Sequence, residues 1–295
     1  MKMAREKILV SKKILADIGR GIYRTPANAI KELVSNAFDA CATWIKITTN
    51  TPYYDVITCE DNGEGMTSDE FKKILKRIGS SRKRANRVEY INCKTAKRPI
   101  IGKIGIGLLA VSQICDKFTI ISKKRGQKRA FKATIDLLQF EKDDAYLSGE
   151  EEITLGEYEM EPIFVPNEEL PISYTKIVIG TLKEGFHETL KAEIKKQIIR
   201  LKETASKKID FLELVKSLSQ KKDFKAIATY DYMVWELGLL CPIRYLKAED
   251  AAFPSNKFIE KNIRRLEEYN FHLFVDGLEI YKTIIFFKED ALKRE

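Results

Sequence analysis

Within ELVSNAFDACAT, which runs from Glu32 to Thr43, a carboxylate, a carboxamide and a second carboxylate stand at Glu32, Asn36 and Asp39. At about 3.6 residues per turn, these positions share one face of a helix. Leu33, Ala37 and Ala40, with Val34 close by, form a neighbouring apolar stripe. Taken alone, the triplet reads as a solvated polar face. Two glycine patterns follow it: D-x-G-x-G in DNGEGM, Asp61 to Met66, and G-x2-G-x-G from Gly102 to Gly107. The first, alone, is a turn, and Asp61 does not open a calcium loop because the later ligands and the terminal glutamate are missing. The second, alone, permits close packing of a helix. In this order, and on these elements, the three patterns together are specific.

The elements that carry them are legible from local signals. Thr25-Pro26 reads as an N-cap with proline at the first helical position, opening the helix that bears Glu32, Asn36 and Asp39. WIKITT (44–49) and DVITCE (55–60) alternate as strands, with Asn-Thr-Pro as the turn between them. After DNGEGM, Thr67 caps a helix that starts with acidic residues and runs through Phe71, Ile74, Leu75 and Ile78. Residues 79–101 are polar and basic, a long loop expected to act as a lid. IGKIGIGLLAVSQI then passes from glycines into an apolar helix. KFTIISKK and RAFKATIDL read as antiparallel strands joined at Gly126, and SYTKIVIGTLKE (173–184) as another strand. Residues 4–24 read as two short helical pieces, and 141–170 as acidic and irregular, with YEMEPIFVPNEE an excursion. Residues 188–240 have helical spacing, and FHLFVDGLEIYKTIIFF reads as a hairpin turning at Asp276-Gly277. The expected organisation is a domain over 1–185, a helical extension over 186–265, and a β segment from 266 to 295 that starts a second domain.

Composition narrows the classes. The 295 residues suffice for one large or two ordinary domains, and no apolar run approaches the ~18 residues of a membrane span. The N-terminus has no signal-peptide pattern, so an intracellular, cytoplasmic protein is expected. Five cysteines, widely spaced and without a CxxC pair, argue against a zinc site or a disulfide framework. His187 and His272, the only histidines, lie far from any carboxylate motif, which disfavours a Ser-His-Asp triad. The net charge is +9, with basic clusters at 82–87, 94–98 and 123–129 that can meet the phosphates of a nucleotide or a nucleic acid.

Taken together, the motifs resemble those of the GHKL superfamily of ATPases: gyrase B, the heat-shock-protein-ninety chaperones, MutL, MORC proteins and histidine kinases. ELVSNAFDACAT resembles the N box, EDNGEGM the first glycine box, and IGKIGIGLLAVSQICDKFTIISK the chaperone form of the second. RIGSSRK resembles the lid entry and TKIVIGTLKE the last motif; in texture the chain is nearest the chaperone and MutL branches over residues 8–184. One departure is Tyr174, where the chaperone-like motif usually has glycine.

The resemblance implies ATP and Mg2+ as ligands. Asn36 would ligate the metal, Asp61 would accept from the adenine amine with Thr175 in support, and Asp39 would sit near the base or ribose. Gly63 and Gly65 would let the backbone pass under the base, with Met66 as an apolar wall. Gly102, Lys103, Ile104, Gly105, Ile106, Gly107 and Leu108 would cradle phosphates at a helix start, and Ser80, Ser81 and Lys83 would close over the nucleotide. Glu32, one turn before Asn36, would activate the attacking water. The implied fold is α+β, the Bergerat sandwich: a mixed, mainly antiparallel sheet with helices on one face, followed by a helical extension. The implied function is a slow ATP-hydrolysing switch whose lid closes on Mg-ATP, with a homodimer and a nucleic-acid or protein client as partners and no membrane. The alternatives are a non-hydrolysing ATP sensor and a histidine-kinase-type phosphotransferase.

Overall fold

The computed structural model describes residues 5–11, 26–51, 53–77, 90–93, 97–102, 107–137, 152–183, 211–219, 229–244 and 270–282. Its strands are β1 (Glu6–Ser11), β2 (Trp44–Thr48), β3 (Val56–Asp61), β4 (Tyr90–Asn92), β5 (Lys97–Pro99), β6 (Lys117–Lys123), β7 (Arg129–Leu137), β8 (Glu152–Phe164), β9 (Tyr174–Gly180), β10 (His272–Val275) and β11 (Leu278–Ile280). Nine of them form one sheet in the order β1-β8-β7-β6-β9-β3-β2-β10-β11, and β4 pairs with β5 in a separate hairpin. Neighbours in the large sheet are antiparallel except β10 and β2, which are parallel. The helices are α1 (Pro26–Asp39), α2 (Ser68–Arg77), α3 (Phe211–Ser219) and α4 (Thr229–Leu240).

Period-two alternation decides which face of the sheet is covered. Ile45, Ile47, Ile57, Cys59, Phe118, Ile120 and Ile179 are buried. The intervening residues carry charge: Glu60 pairs with Lys176 at 3.2 Å and Lys132 with Glu161 at 2.9 Å. Exposed pairs of this kind stabilise little, but they keep that face in water. On the covered face, α1 buries Ile30, Leu33, Val34, Ala37 and Phe38. Helix α2 starts with a capping box, in which the Thr67 N–H donates to Glu70 at 2.8 Å and the Glu70 N–H to the Thr67 hydroxyl at 3.2 Å. Its Phe71 stacks on Phe131 with ring centres 5.2 Å apart. The result is the expected mixed, mostly antiparallel sheet of an α+β sandwich.

Several local expectations are corrected. Residues 6–11, expected to be helical, form edge strand β1, with Ile8 and Val10 buried and Lys7 and Leu9 outward. Residues 12–25 lie outside the described residues. The irregular stretch expected over 141–170 contains the thirteen-residue strand β8, paired with β7 along its length. Its glutamates at 157, 159 and 161 hide the alternation, and Pro162 falls beyond Tyr158, the last residue of β8 paired with β1 among the described residues. The apolar helix expected after the glycines is a 3-10 helix, Gly107–Gln113. The long loop expected over 79–101 includes the β4–β5 hairpin.

The C-terminal hairpin turns at Asp276-Gly277 as expected, with both residues at positive φ. Residues 272–280, expected to open a second domain, lie in the same sheet as the site elements, because β10 adds in parallel to β2. Asp276 fixes that junction by accepting from the Thr49 N–H at 2.8 Å, the Thr49 hydroxyl at 2.7 Å and the Tyr230 hydroxyl at 2.6 Å.

No disulfide was expected, yet Cys41 and Cys93 are joined across 52 residues. The fold, and not sequence spacing, makes them neighbours. Cys41 follows α1 at φ 60°, while its N–H donates to the Phe38 carbonyl and the Ala42 N–H to the Ala37 carbonyl, both at 3.1 Å. This is a Schellman ending with cysteine at a position that favours glycine. A cross-link over this span stabilises by roughly 2–4 kcal/mol. Cys93→Ser should therefore lower the unfolding free energy by about that amount in denaturant titrations, and reductant should bring the wild type to the same midpoint. Equal midpoints for oxidised wild type and variant would refute a constraining role for this bond.

Candidate nucleotide-binding site

A single cross-sheet row sets the base of the site. Ile45, Asp61, Thr175 and Ser122 are register partners across β2, β3, β9 and β6. Asp61, Thr175 and Ser122 thus place three adjacent polar side chains, all buried, on the otherwise apolar face. The Asp61 carboxylate accepts the Gly63 N–H at 2.8 Å. Loss of water pushes its pKa up to about 7, with the Gly63 bond opposing the shift and Glu60 adding to it. The Thr175 and Ser122 hydroxyls are 3.0 Å apart.

The loop after β3 is clamped from both sides. The Glu64 N–H donates to the Ala40 carbonyl at 2.8 Å, and the Met66 N–H to the Ser122 hydroxyl at 3.0 Å. A Cβ on Gly63 would stand 2.8 Å from the Ala40 carbonyl oxygen. On Gly65, at φ +63°, it would stand 2.0 Å from the Lys123 carbonyl oxygen, so only glycine fits. Asn62 ties the loop to β2, its side-chain oxygen accepting from the Thr43 and Trp44 N–H groups at 2.9 and 3.0 Å. Met66 is half-buried and packs against the core.

Helix α1 supplies the other side. Glu32 is half-buried and pairs with Lys31 at 2.9 Å, while Asn36, one turn on, is exposed. Asp39 accepts the Ile101 N–H at 3.0 Å and the Gly102 N–H at 2.8 Å. Its carboxylate therefore holds the entry to the second glycine box, whereas Asp61 and Thr175 sit together in the sheet. A Cβ on Gly102 would stand 2.8 Å from Asp39 and 3.8 Å from the Asn36 side-chain oxygen, which puts the start of the glycine run beside Asn36. Gly107 opens the 3-10 helix and Leu108 follows it. Ser80, Ser81, Lys83, Lys103, Ile104, Gly105 and Ile106 lie outside the described residues.

Three residues of this region, Lys31, Asn62 and Ser122, stand outside the expected site set. Lys31 and Asn62 flank residues that were singled out, and their type and position could have flagged them. Ser122 carries no signal, because KFTIISKK reads as an ordinary strand. Arg98, read within the basic cluster at 94–98, is buried instead: its guanidinium donates to the Ala42 carbonyl at 2.6 Å and the Phe38 and Asn270 carbonyls at 3.3 Å, and lies over the Phe38 ring. Burial lowers its pKa.

The raised pKa of Asp61 has a definite sign in stability. Its contribution is fully present below the unfolded carboxyl pKa and is lost as pH rises through the folded value of about 7. In denaturant titrations without nucleotide, the protein should lose stability on the order of a few kcal/mol between about pH 4 and pH 7 from this group. Asp61→Asn should flatten that slope. An unchanged slope would show that Asp61 titrates normally.

Comparison with known proteins agrees with this geometry. Residues 23–163 match the model of the histidine kinase-, DNA gyrase B- and HSP90-like ATPase family. The chain is 26% identical over 191 residues to the chaperone protein HtpG of Mesorhizobium japonicum, covering 59% of this chain and 27% of that protein. It is 32% identical over 124 residues to the DNA mismatch repair protein MutL of Rickettsia bellii, covering 42% and 19%. It is 30% identical over 172 residues to a putative type II restriction enzyme, HgiDII, of Herpetosiphon aurantiacus, covering 58% and 25%. The chain thus spans about a quarter or less of the length of these relatives. The motif order, the sheet and the family match over residues 23–163 support a GHKL-superfamily ATPase domain in this chain.

Proposed function

We propose that the protein binds Mg-ATP at the Asp61 row and hydrolyses it slowly, as a conformational switch. The observation that carries this reading is a carboxylate buried in the sheet beside Thr175, under a loop that only glycine at 65 allows. A carboxylate and a hydroxyl held there suit the edge of a base that offers an amine. Ile101 and Gly102, fixed by Asp39, start the run whose backbone would face the phosphates, with Gly105 and Gly107 further along. Among the described residues, no group of three or more His, Cys, Asp or Glu is placed to hold a metal. Asn36, one exposed oxygen donor, fits a cation whose other ligands are phosphates and water. The metal would neutralise charge on the phosphates. Glu32 would orient the attacking water and take its proton.

The second reading, a sensor that binds ATP without turnover, draws on the Lys31–Glu32 ion pair, which occupies the proposed base. The two readings part on one experiment: phosphate release with Mg2+, and nucleotide affinity, for the wild type and Glu32→Ala. We expect the variant to keep its ATP affinity within a few-fold and to lose at least about 100-fold in turnover. If both bind and neither releases phosphate, the sensor reading holds. If neither binds, the site reading fails.

DNA is the proposed partner, with a protein client as the alternative that similarity to a chaperone suggests. The names of two relatives refer to DNA repair and to restriction, and the tip between β6 and β7 exposes Arg125, Lys128 and Arg129. Arg129 lies over the ring of Phe164, itself 71% exposed. A cytoplasmic protein that dimerises on ATP binding completes the proposal. Duplex-DNA binding should weaken steeply with salt, and Arg125→Glu with Lys128→Glu should weaken it at least about tenfold. Affinity that ignores both salt and these substitutions would exclude this surface.

A further inference from the structure

We infer that Ser122 sets base specificity by fixing the direction of the Thr175 hydroxyl proton, so that the pocket accepts the amine of a 6-aminopurine and rejects the carbonyl of a 6-oxopurine. The inference rests on the proposed role of Asp61 and Thr175 as the base-contacting pair. It assigns a specificity-determining role to a residue on β6, two strands away from Asp61.

The argument is a count of protons. Ser122 is fully buried, and its Oγ lies within hydrogen-bonding distance of three groups: the Met66 N–H at 3.0 Å, the Tyr174 carbonyl at 3.1 Å and Thr175 Oγ1 at 3.0 Å. A serine hydroxyl has one proton and two lone pairs. The Met66 N–H can only donate and takes one lone pair. The Tyr174 carbonyl can only accept and takes the proton. One lone pair remains for Thr175, which must then be the donor. No other assignment satisfies all three neighbours in a site without room for rotation into water.

The consequence reaches the pocket. With its proton directed at Ser122, Thr175 offers only lone pairs elsewhere. Asp61, its register partner on β3, also only accepts when ionised. Two adjacent acceptors suit an exocyclic amine, which has protons to give. A 6-oxo group would set its own lone pairs against them, and a buried polar mismatch of this kind is strongly selected against. Ser122 is a positioning residue in this account, since it acts on the base through Thr175. The bond to Met66 also locks the loop that follows Gly65 to the same hydroxyl.

The test compares equilibrium affinities for ATP and inosine triphosphate at about pH 8, where Asp61 is ionised. The wild type should prefer ATP by at least about tenfold. Ser122→Ala frees the Thr175 proton to turn toward the base, so the ATP/inosine triphosphate ratio should fall about tenfold, and Ser122→Thr should restore it. Equal affinities in the wild type would overturn the inference. So would Ser122→Ala weakening both nucleotides by one factor, which is the mark of a purely structural hydroxyl. Should Ser122→Ala not fold, Thr175→Val is read on the same scale: a collapsed ratio supports the inference and an intact ratio overturns it. Asp61→Asn separates the two levels. If it binds ATP as the wild type does, the base-site reading itself is wrong; if it loses ATP while Ser122→Ala keeps the ratio, only the role of Ser122 falls.

Discussion

The structure around the site follows from keeping the Asp61 carboxylate on the apolar face of the sheet. A carboxylate removed from water is costly unless it is neutralised or hydrogen-bonded. Among the described residues its backbone donor is Gly63, and burial pushes its pKa up to about 7. The surrounding chain is arranged to keep that position. The loop after Asp61 must turn at once, which brings Gly63 against Ala40 and Gly65 against the Lys123 carbonyl. Those approaches in turn hold β3 between the end of α1 and the end of β6. The buried Lys123 ammonium donates to the Ile172 and Leu170 carbonyls, which fixes the entry to β9 and hence Thr175. The polar row is therefore over-determined by its neighbours, as a pre-formed binding surface requires.

The C-terminal end of α1 is the second fixed point. Within a few residues, Asp39 holds Ile101 and Gly102, Cys41 is bonded to Cys93, and the Phe38 and Ala42 carbonyls receive Arg98. A cation at the last carbonyls of a helix meets both unsatisfied acceptors and the negative end of the dipole. Cys93, Arg98 and Ile101, within the segment expected to form the lid, are thus fastened at the C-terminal end of the helix that carries Glu32 and Asn36.

Local patterns in the sequence located the main elements and long-range pairing hid the rest. Helix α1, the capped helix α2, strands β2, β3, β6, β7 and β9, and the Asp-Gly turn each follow from a period or a cap within a few residues. Strands β1 and β8 do not, because each is a strand chiefly by virtue of its partner, and the glutamates of β8 imitate an acidic loop. The site divides in the same way. Asp61, Gly63, Gly65 and Met66 were legible from one motif, and Thr175 from another. Ser122, Arg98 and the Cys41–Cys93 bond acquire meaning only from residues 52 or more positions away that the fold brings beside them. Asp39, expected near the ligand, also accepts the Ile101 and Gly102 N–H groups, a link that no local pattern shows.

The parallel strand β10 gives the switch reading a physical route. The same Arg98 that caps α1 also donates to the Asn270 carbonyl, and the Phe38 ring beneath it meets Phe271 edge-on at 5.5 Å. Two residues on, β10 pairs with β2, whose neighbour β3 ends at Asp61. At the far end of β10, Asp276 holds Thr49 and Tyr230, the latter on α4, which also packs on α1. Helix α4 comes close enough that a Cβ on Gly238 would stand 2.9 Å from the Tyr281 carbonyl oxygen. Packed contacts of this kind do not deform continuously; they shift between discrete arrangements. A nucleotide that favours one position of α1 and the segment around Arg98 would therefore act on residues 270–282 through shared side chains. The coupling can be no larger than the difference in affinity between those two positions.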